Sequence, residues 1–403
     1  MKKRRFVKIK KECSLIALIL LFILSLSAAA QDETTEAFSF IISGDQRHHA
    51  ESEFHSPEFT LGGYQAIERV GKGDFMVVMG DIDPAHATDM LIEKVFGYEY
   101  PWYPVIGNHD IENPDDLAFL KSMNSADHLL PHIVSLGPEG CEETNYTFEW
   151  YGVHFIVIDV FFKTSYGRLK YTPIDTRILE WLEADLKRNQ GKRIFVFGHK
   201  PVIAIPDMDN YSRRHLGEVL DRFPENELFF HQLLMKYGVT AYISGHTHAA
   251  SWANINGVWH LNSGHIYGQE GDYPPQKLFS MITALVDQAK HIGTADTTVI
   301  RRFYESDSKE IKKSIFPFDP IPGINYKSMP DQEALRRLTQ FYRDCVSDSM
   351  QISHYENLLW NQSGWRKSTF LKINIQNDSA VLEIYRDTDY QGHYELRYTQ
   401  VLY

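Results

Sequence analysis

Cysteine is scarce in this chain: three residues in 403. A structural zinc module needs closely spaced, thiolate-rich ligands, so that class is excluded. Basic charge is also in short supply. The formal net charge is −12, which disfavours nucleic-acid polymers and anionic membrane surfaces as partners. No internal repeat or low-complexity run follows the first thirty residues. The one long apolar stretch, Leu15–Leu26, falls short of the ~20 residues that cross a bilayer.

The N-terminus carries what the rest of the chain lacks. Residues 1–11 hold seven basic side chains, Leu15–Leu26 follows, and Ala28-Ala29-Ala30 offers small residues for cleavage. This is the three-part layout of a secretory signal peptide. Residues 1–30 are therefore expected to be removed, leaving a secreted, periplasmic or extracellular protein with no stable membrane span; the rival reading is an uncleaved anchor. The first thirty residues carry a net +6, so the remainder would carry −18. Cys141 and Cys345 would survive processing, either as a disulfide, which the compartment permits, or as two buried thiols. The aromatic share of 13% fits a tightly packed globular protein.

Five apolar runs end in a glycine followed by Asp, Asn or His. They are Phe38–Ile42 before Ser43-Gly44-Asp45, Phe75–Met79 before Gly80-Asp81, Tyr103–Ile106 before Gly107-Asn108-His109-Asp110, Ile194–Phe197 before Gly198-His199-Lys200-Pro201, and Val239–Ile243 before Gly245-His246-Thr247-His248. Each run reads as a buried strand. Parallel strands deliver their carboxyl ends to one edge of a sheet, where ligands bind. The five segments are expected to converge on one site of carboxylates, an amide and imidazoles. That donor set suits Mn, Fe or Zn better than Ca.

Gly-Asn-His-Asp followed by Gly-His-Thr-His, in this order and spacing, resembles the calcineurin-like metallophosphoesterase superfamily over roughly residues 38 to 268. The resemblance implies an α/β (α+β) fold, a four-layer αββα sandwich of two mixed sheets flanked by helices. It also implies a two-metal hydrolase of small phosphoesters. Matched motif by motif, Asp81 would bridge the ions, Asp45 and His248 would hold the first, and Asn108, His199 and His246 the second. His109 would protonate the leaving oxygen, with Asp110 fixing its tautomer. The first motif departs from the family: most members read Asp-x-His, and this chain reads Asp45-Gln46-Arg47. A guanidinium has no lone pair to donate. The Tyr that one branch supplies three residues after the second-motif Asp is Pro84 here. Three explanations compete. His48 or His86 reaches in; Asp45, Asp81 and His248 hold the ion with extra waters, the favoured reading; or the first site is weak or empty.

Around these motifs, helices are expected over residues 62–70, 87–96, 175–189, 228–237 and 331–347, and a hairpin over 146–160. His154 in that hairpin reads as a strand residue with a satisfied partner, and Lys200 as solvated. The expected organisation is a signal peptide (1–30), a flexible leader (31–37), a core (38–268), an irregular, partly helical insert (269–366), and C-terminal strands (367–403) completing the second sheet. Arg47 and His48 read either as loop cations or as phosphate contacts, which Arg geometry favours. Arg213 and Arg214, with His215, lie between the two His motifs and rim the pocket or pair with surface acids. Two functions compete: a secreted metal-dependent phosphoesterase, or a non-catalytic ligand-binding protein of the same fold with an impaired first metal site.

Overall fold

In a computed structural model, Phe38–Ser43 (β1), Phe75–Val78 (β2) and Trp102–Pro104 (β3) lie side by side and parallel. The structure describes residues 37–46, 57–125, 127–162, 172–205, 207, 215, 218–266, 270–271, 365–366, 368–376, 378–387 and 393–403. The expected signal segment, the 331–347 helix, Arg47, His48, Arg213, Arg214 and Cys345 fall outside these residues. Among those described, no helix is long and apolar enough to cross a membrane.

The connections between the first three strands are helical: Pro57–Val70 (α1) and Ala85–Phe96 (α2). Both begin a few residues earlier than the apolar spacing alone indicates, because a first turn need not contribute to the buried stripe. Tyr64 and Ile67 of α1 and Ile92 and Phe96 of α2 pack on the outer face of the sheet against Ile41, Met76 and Val78. After β3, two short helices follow that periodicity did not reveal, Asn108–Glu112 (α3) and Pro114–Ser122 (α4).

The second sheet contains Ile133–Leu136 (β4), Tyr146–Trp150 (β5), Val153–Val157 (β6), Ile194–Phe197 (β7), Ala241–Ser244 (β8), Ala250–Ile255 (β9) and Val258–Ser263 (β10), in the order β4-β5-β6-β7-β8-β10-β9. β6, β7 and β8 are parallel. The β5–β6 hairpin is as expected. Inside it, His154 sits fully buried between Asp185 Oδ2 at 2.6 Å and Glu149 Oε1 at 3.2 Å. Helix Thr176–Arg188 (α5) begins where Asp175 accepts from the Arg177 amide, and it ends on Lys187 and Arg188, which suits the helix dipole. With Pro224–Lys236 (α6) it covers the outer face of this sheet through Ile178, Leu182, Phe230 and Leu234.

A two-residue pair, Glu270–Gly271 (β11) with Trp365–Arg366 (β12), stands apart. The C-terminal strands Thr369–Gln376 (β13), Ser379–Asp387 (β14) and Tyr394–Val401 (β15) correct one expectation: they extend the first sheet, not the second. Its order is β15-β14-β13-β1-β2-β3, with β13 antiparallel to β1. Alternating apolar residues announce a strand but do not name its neighbour.

The two sheets face each other across an aromatic core. Tyr103 of the first stacks on Phe148 of the second at 3.8 Å and 2°, and Phe75 meets Phe155 edge-on at 5.3 Å. Offset-stacked and edge-to-face rings each add ~0.5–1.5 kcal/mol beyond their buried area. This is the αββα sandwich expected from the motifs, and it places the carboxyl ends of β1–β3 opposite those of β7 and β8.

Candidate metal centre

Each of the five strands is followed within three residues by its glycine, and the glycines explain how the two edges meet. A Cβ on Gly107 would lie 2.2 Å from the Asp81 backbone nitrogen, and one on Gly245 would lie 2.6 Å from Asp45 Oδ2. Only a residue without a side chain permits that approach. The expected ligand residues themselves turn sharply. Asp45, Asp81, His246 and His248 have φ of 52°, 54°, 69° and 55°. This is the left-handed region, which side-chain-bearing residues seldom occupy and which clusters at functional sites.

The edges are stitched together by contacts between sheets. Asp45 accepts from the His246 amide through both oxygens, at 3.1 and 3.0 Å. His199 Nδ1 donates to the Met79 carbonyl at 2.5 Å, which leaves Nε2 as the lone-pair nitrogen facing the site. Asp81 Oδ1 accepts from the His109 amide at 2.9 Å and lies 3.5 Å from His199 Nε2.

Donor atoms of Asp45, Asp81 and His248 all lie within 4.8 Å of one another, and His248 Nε2 is 3.2 Å from Asp45 Oδ1. These three are the residues expected for the first ion in the favoured reading. Beside them, Asn108 Oδ1, His199 Nε2 and His246 Nε2 are buried and accept or donate no hydrogen bond. A buried polar atom without a partner is costly. Three such atoms, one amide oxygen and two imidazole nitrogens, form the donor set expected for the second ion. The residues present therefore fit two transition-metal ions. Burial, then the neighbouring His215, His199, Lys200 and His248, pushes the His246 imidazole well below its ordinary range. Burial also lowers the His199 imidazole, against the pull of Asp81. Both rings are thus kept neutral, the form that ligates a metal.

His86 does not complete this set. It lies exposed on α2 against Phe119, ring centres 5.4 Å apart. Lys200 is 1% exposed, not solvated, and its ammonium sits 4.5 Å from the centre of the Phe161 ring. Burial first, then Arg222, lowers it to about 8.

His109 stands at the mouth, 22% exposed, with Nε2 3.9 Å from Asp81 Oδ2. The partner of its other nitrogen differs from expectation. Nδ1 lies 3.0 Å from Glu112 Oε2, one turn on in α3. Asp110 instead accepts from three backbone amides, Gly107 and Ile82 at 2.6 Å and Asp81 at 3.1 Å. Burial and the nearby Asp81 push this carboxyl well above its usual range. Its visible role is to hold the Asp81 and Asn108 turns together.

His215, a rim candidate only as part of its loop, proves to be a wall of the site. Its ring stacks on His246 at 4.3 Å and 23°, and Nδ1 lies 2.8 Å from Glu218 Oε2. The sequence carried no spacing that singled it out from its neighbours.

A family model for the calcineurin-like phosphoesterases matches residues 48–250. The chain belongs to that family. Solved structures of similar architecture include GAP50, the anchor in the inner membrane complex of Plasmodium, at 13% identity over 90% of this chain and 88% of that one, TM-score 0.48. A purple acid phosphatase, PPD1, from yellow lupin seeds shares 12% identity over 92% of this chain and 54% of its own length, TM-score 0.47. PhoD shares 11% over 91% and 69%, TM-score 0.48. No curated protein sequence matches the chain. This calcineurin-like chain thus keeps the Gly-Asn-His-Asp and Gly-His-Thr-His motifs while lacking the usual first-motif histidine.

Proposed function

We propose that the protein is a secreted metal-dependent phosphoesterase hydrolysing small phosphate mono- or diesters. The observation that carries this reading is the pair of adjacent donor sets, one closed by Asp45, Asp81 and His248, the other holding three unpartnered buried donors. Two ions of Mn, Fe or Zn in these positions would polarise the phosphoryl group and acidify a water.

The chain's own residues do the rest. Asp81, reached by both donor sets, is the shared carboxylate. His109 Nε2 faces the site and is the proton donor to the leaving oxygen, and Glu112 at Nδ1 fixes its tautomer and orientation. Asp110 clamps the amides that aim Asp81 and Asn108. His215 closes one side beside His246. Arg47, His48, Arg213 and Arg214 remain candidates for gripping substrate oxygens from the loops. Secretion rests on the basic, apolar and small-residue layout of residues 1–30; N-terminal sequencing of protein recovered outside the cell, beginning near residue 31, would support it.

The test is elemental analysis of purified protein with hydrolysis of p-nitrophenyl phosphate and bis-p-nitrophenyl phosphate. Two metals per chain and turnover of either ester are expected. No metal uptake when Mn, Fe and Zn are each supplied would overturn the proposal in favour of the non-catalytic reading, which the missing imidazole at Arg47 specifically favours.

A further inference from the structure

His199 and His246 offer the two imidazole nitrogens of the second metal position, and both stand in turns that follow neighbouring parallel strands, β7 and β8. An imidazole is only as well aimed as the backbone that carries it. Around His199 three consecutive carbonyls are held. The Gly245 amide donates to the His199 carbonyl at 3.0 Å. The Tyr242 hydroxyl takes the carbonyls on either side, Lys200 at 2.6 Å and Gly198 at 3.2 Å. A phenol has one proton, so the shorter bond, to Lys200, dominates and the longer one shares it.

Tyr242 belongs to β8 and is 1% exposed. Phe230 of α6 meets its ring edge-on at 5.1 Å, and His260 of β10 does so at 6.3 Å. The side chain therefore reaches the His199 turn from the face that α6 covers. β10 runs parallel to β8, with His260 opposite Tyr242 and Asn262 opposite Ser244. Asn262, two residues beyond His260, lies on the same face and holds the other turn. Its Nδ2 donates to the Gly245 carbonyl at 2.6 Å and to Ser244 Oγ at 3.3 Å. Its Oδ1 accepts from the Gly264 amide at 3.1 Å, which fixes the way the amide points. Gly245 precedes His246. Two uncharged, buried side chains thus pin the backbone beside both imidazoles. Losing a donor to a buried carbonyl is costly, so a turn relaxes to recover one.

We propose that Tyr242 is a positioning residue for the second metal position, with Asn262 as its counterpart: they hold the two turns so that His199 Nε2 and His246 Nε2 converge on one ion, and they set how tightly it is bound. This rests on the two-metal phosphoesterase reading. Its test follows the metal-loaded full chain as a chelator removes its ions in steps. His246→Ala marks which step belongs to the second position. Tyr242→Phe keeps the ring and its packing and removes only the hydroxyl. It is expected to weaken that same step by about tenfold, as loss of a partner behind a metal ligand commonly does, and to leave the other step in place. Asn262→Ala should weaken it likewise. Phe230→Leu loosens the packing around the Tyr242 ring without touching the hydroxyl, and should lower Tm with the step unchanged. In excess metal, Tyr242→Phe should regain most of its turnover of p-nitrophenyl phosphate, with KM unaltered. A Tyr242→Phe chain that melts earlier while the step stays where it was would overturn the proposal, because the hydroxyl would then serve the fold alone. So would equal weakening of both steps, or the same loss in Phe230→Leu. An unmodified chain that binds both ions and hydrolyses no ester would fail the phosphoesterase reading by itself, and the chelator steps would still decide the role of Tyr242.

Discussion

The two candidate metal positions, which would share Asp81, are built differently. At the first, Asp45, Asp81 and His248 approach one another, and Asp45 is already bonded to the His246 amide and close to His248 Nε2. At the second, Asn108 Oδ1, His199 Nε2 and His246 Nε2 point inward with nothing to satisfy them. One position is rich in carboxylate and has a single imidazole; the other has two imidazoles and an amide. Imidazole nitrogen favours transition metals, so the second should bind more tightly, and the unsatisfied atoms add to the gain on binding. The position with fewer protein donors is where this chain carries Arg47 in place of the family's histidine.

Removing what the two positions share should have the largest effect. Asp81→Asn is expected to abolish hydrolysis with the fold retained, and His246→Ala to do the same through the second position. Near-normal turnover of metal-replete Asp81→Asn would refute the shared-carboxylate assignment.

His109→Ala should come next, lowering turnover of esters with poor leaving groups by ~10²–10⁴-fold and sparing those with good ones. An equal loss on both would make His109 a positioning group. Glu112→Gln should reproduce a weaker version, about tenfold, with the same leaving-group dependence; Asp110→Asn should instead disturb metal content, because Asp110 holds the Asp81 and Gly107 backbone.

Metal titration of stripped protein reads the comparison directly. Two unequal steps are expected, and Arg47→His should tighten the weaker one. Equal, tight binding of both ions would point to His48 as a missing ligand. If Arg47 grips substrate phosphate, the same substitution raises KM without altering metal content.

The smallest expected effect lies outside the site. Burial pushes Asp159 up to about 6 against the bond from the Phe161 amide, from an ordinary value of 3.8. The folded chain therefore favours the protonated acid. The resulting cost to stability grows as pH rises between about 4 and 6 and is fully present at pH 7, at most about 3 kcal/mol. Asp159→Asn should raise the melting temperature at pH 7.5 and do so less at pH 4.5. No gain at pH 7.5 would show that the carboxylate is compensated in the folded state.

The sequence by itself determined the local grammar of this protein. Apolar runs of strand length, each closed by a glycine and a metal-ligand side chain, are encoded within a few residues of one another. β2 and β7 follow them closely, and the same local pattern marks Asp45, Asp81, Asn108, His199, His246 and His248 as candidate ligands, of which Asp45, Asp81 and His248 bring donor atoms within 4.8 Å of one another. The β5–β6 hairpin and α5 were legible for the same reason, because period-two and period-3.6 patterns are local. Only the tertiary structure decided which segments meet. β13–β15 joined the first sheet, because alternation fixes a strand's faces and not its neighbour. Glu112 took the place expected of Asp110, because the turn into α3 directs the Asp110 carboxylate at three backbone amides and leaves His109 facing the next turn. His215 reached His246, and Arg386 reached Asp207, across long stretches of chain. Such pairings depend on how packed layers bring distant segments together, and no short-range periodicity records that.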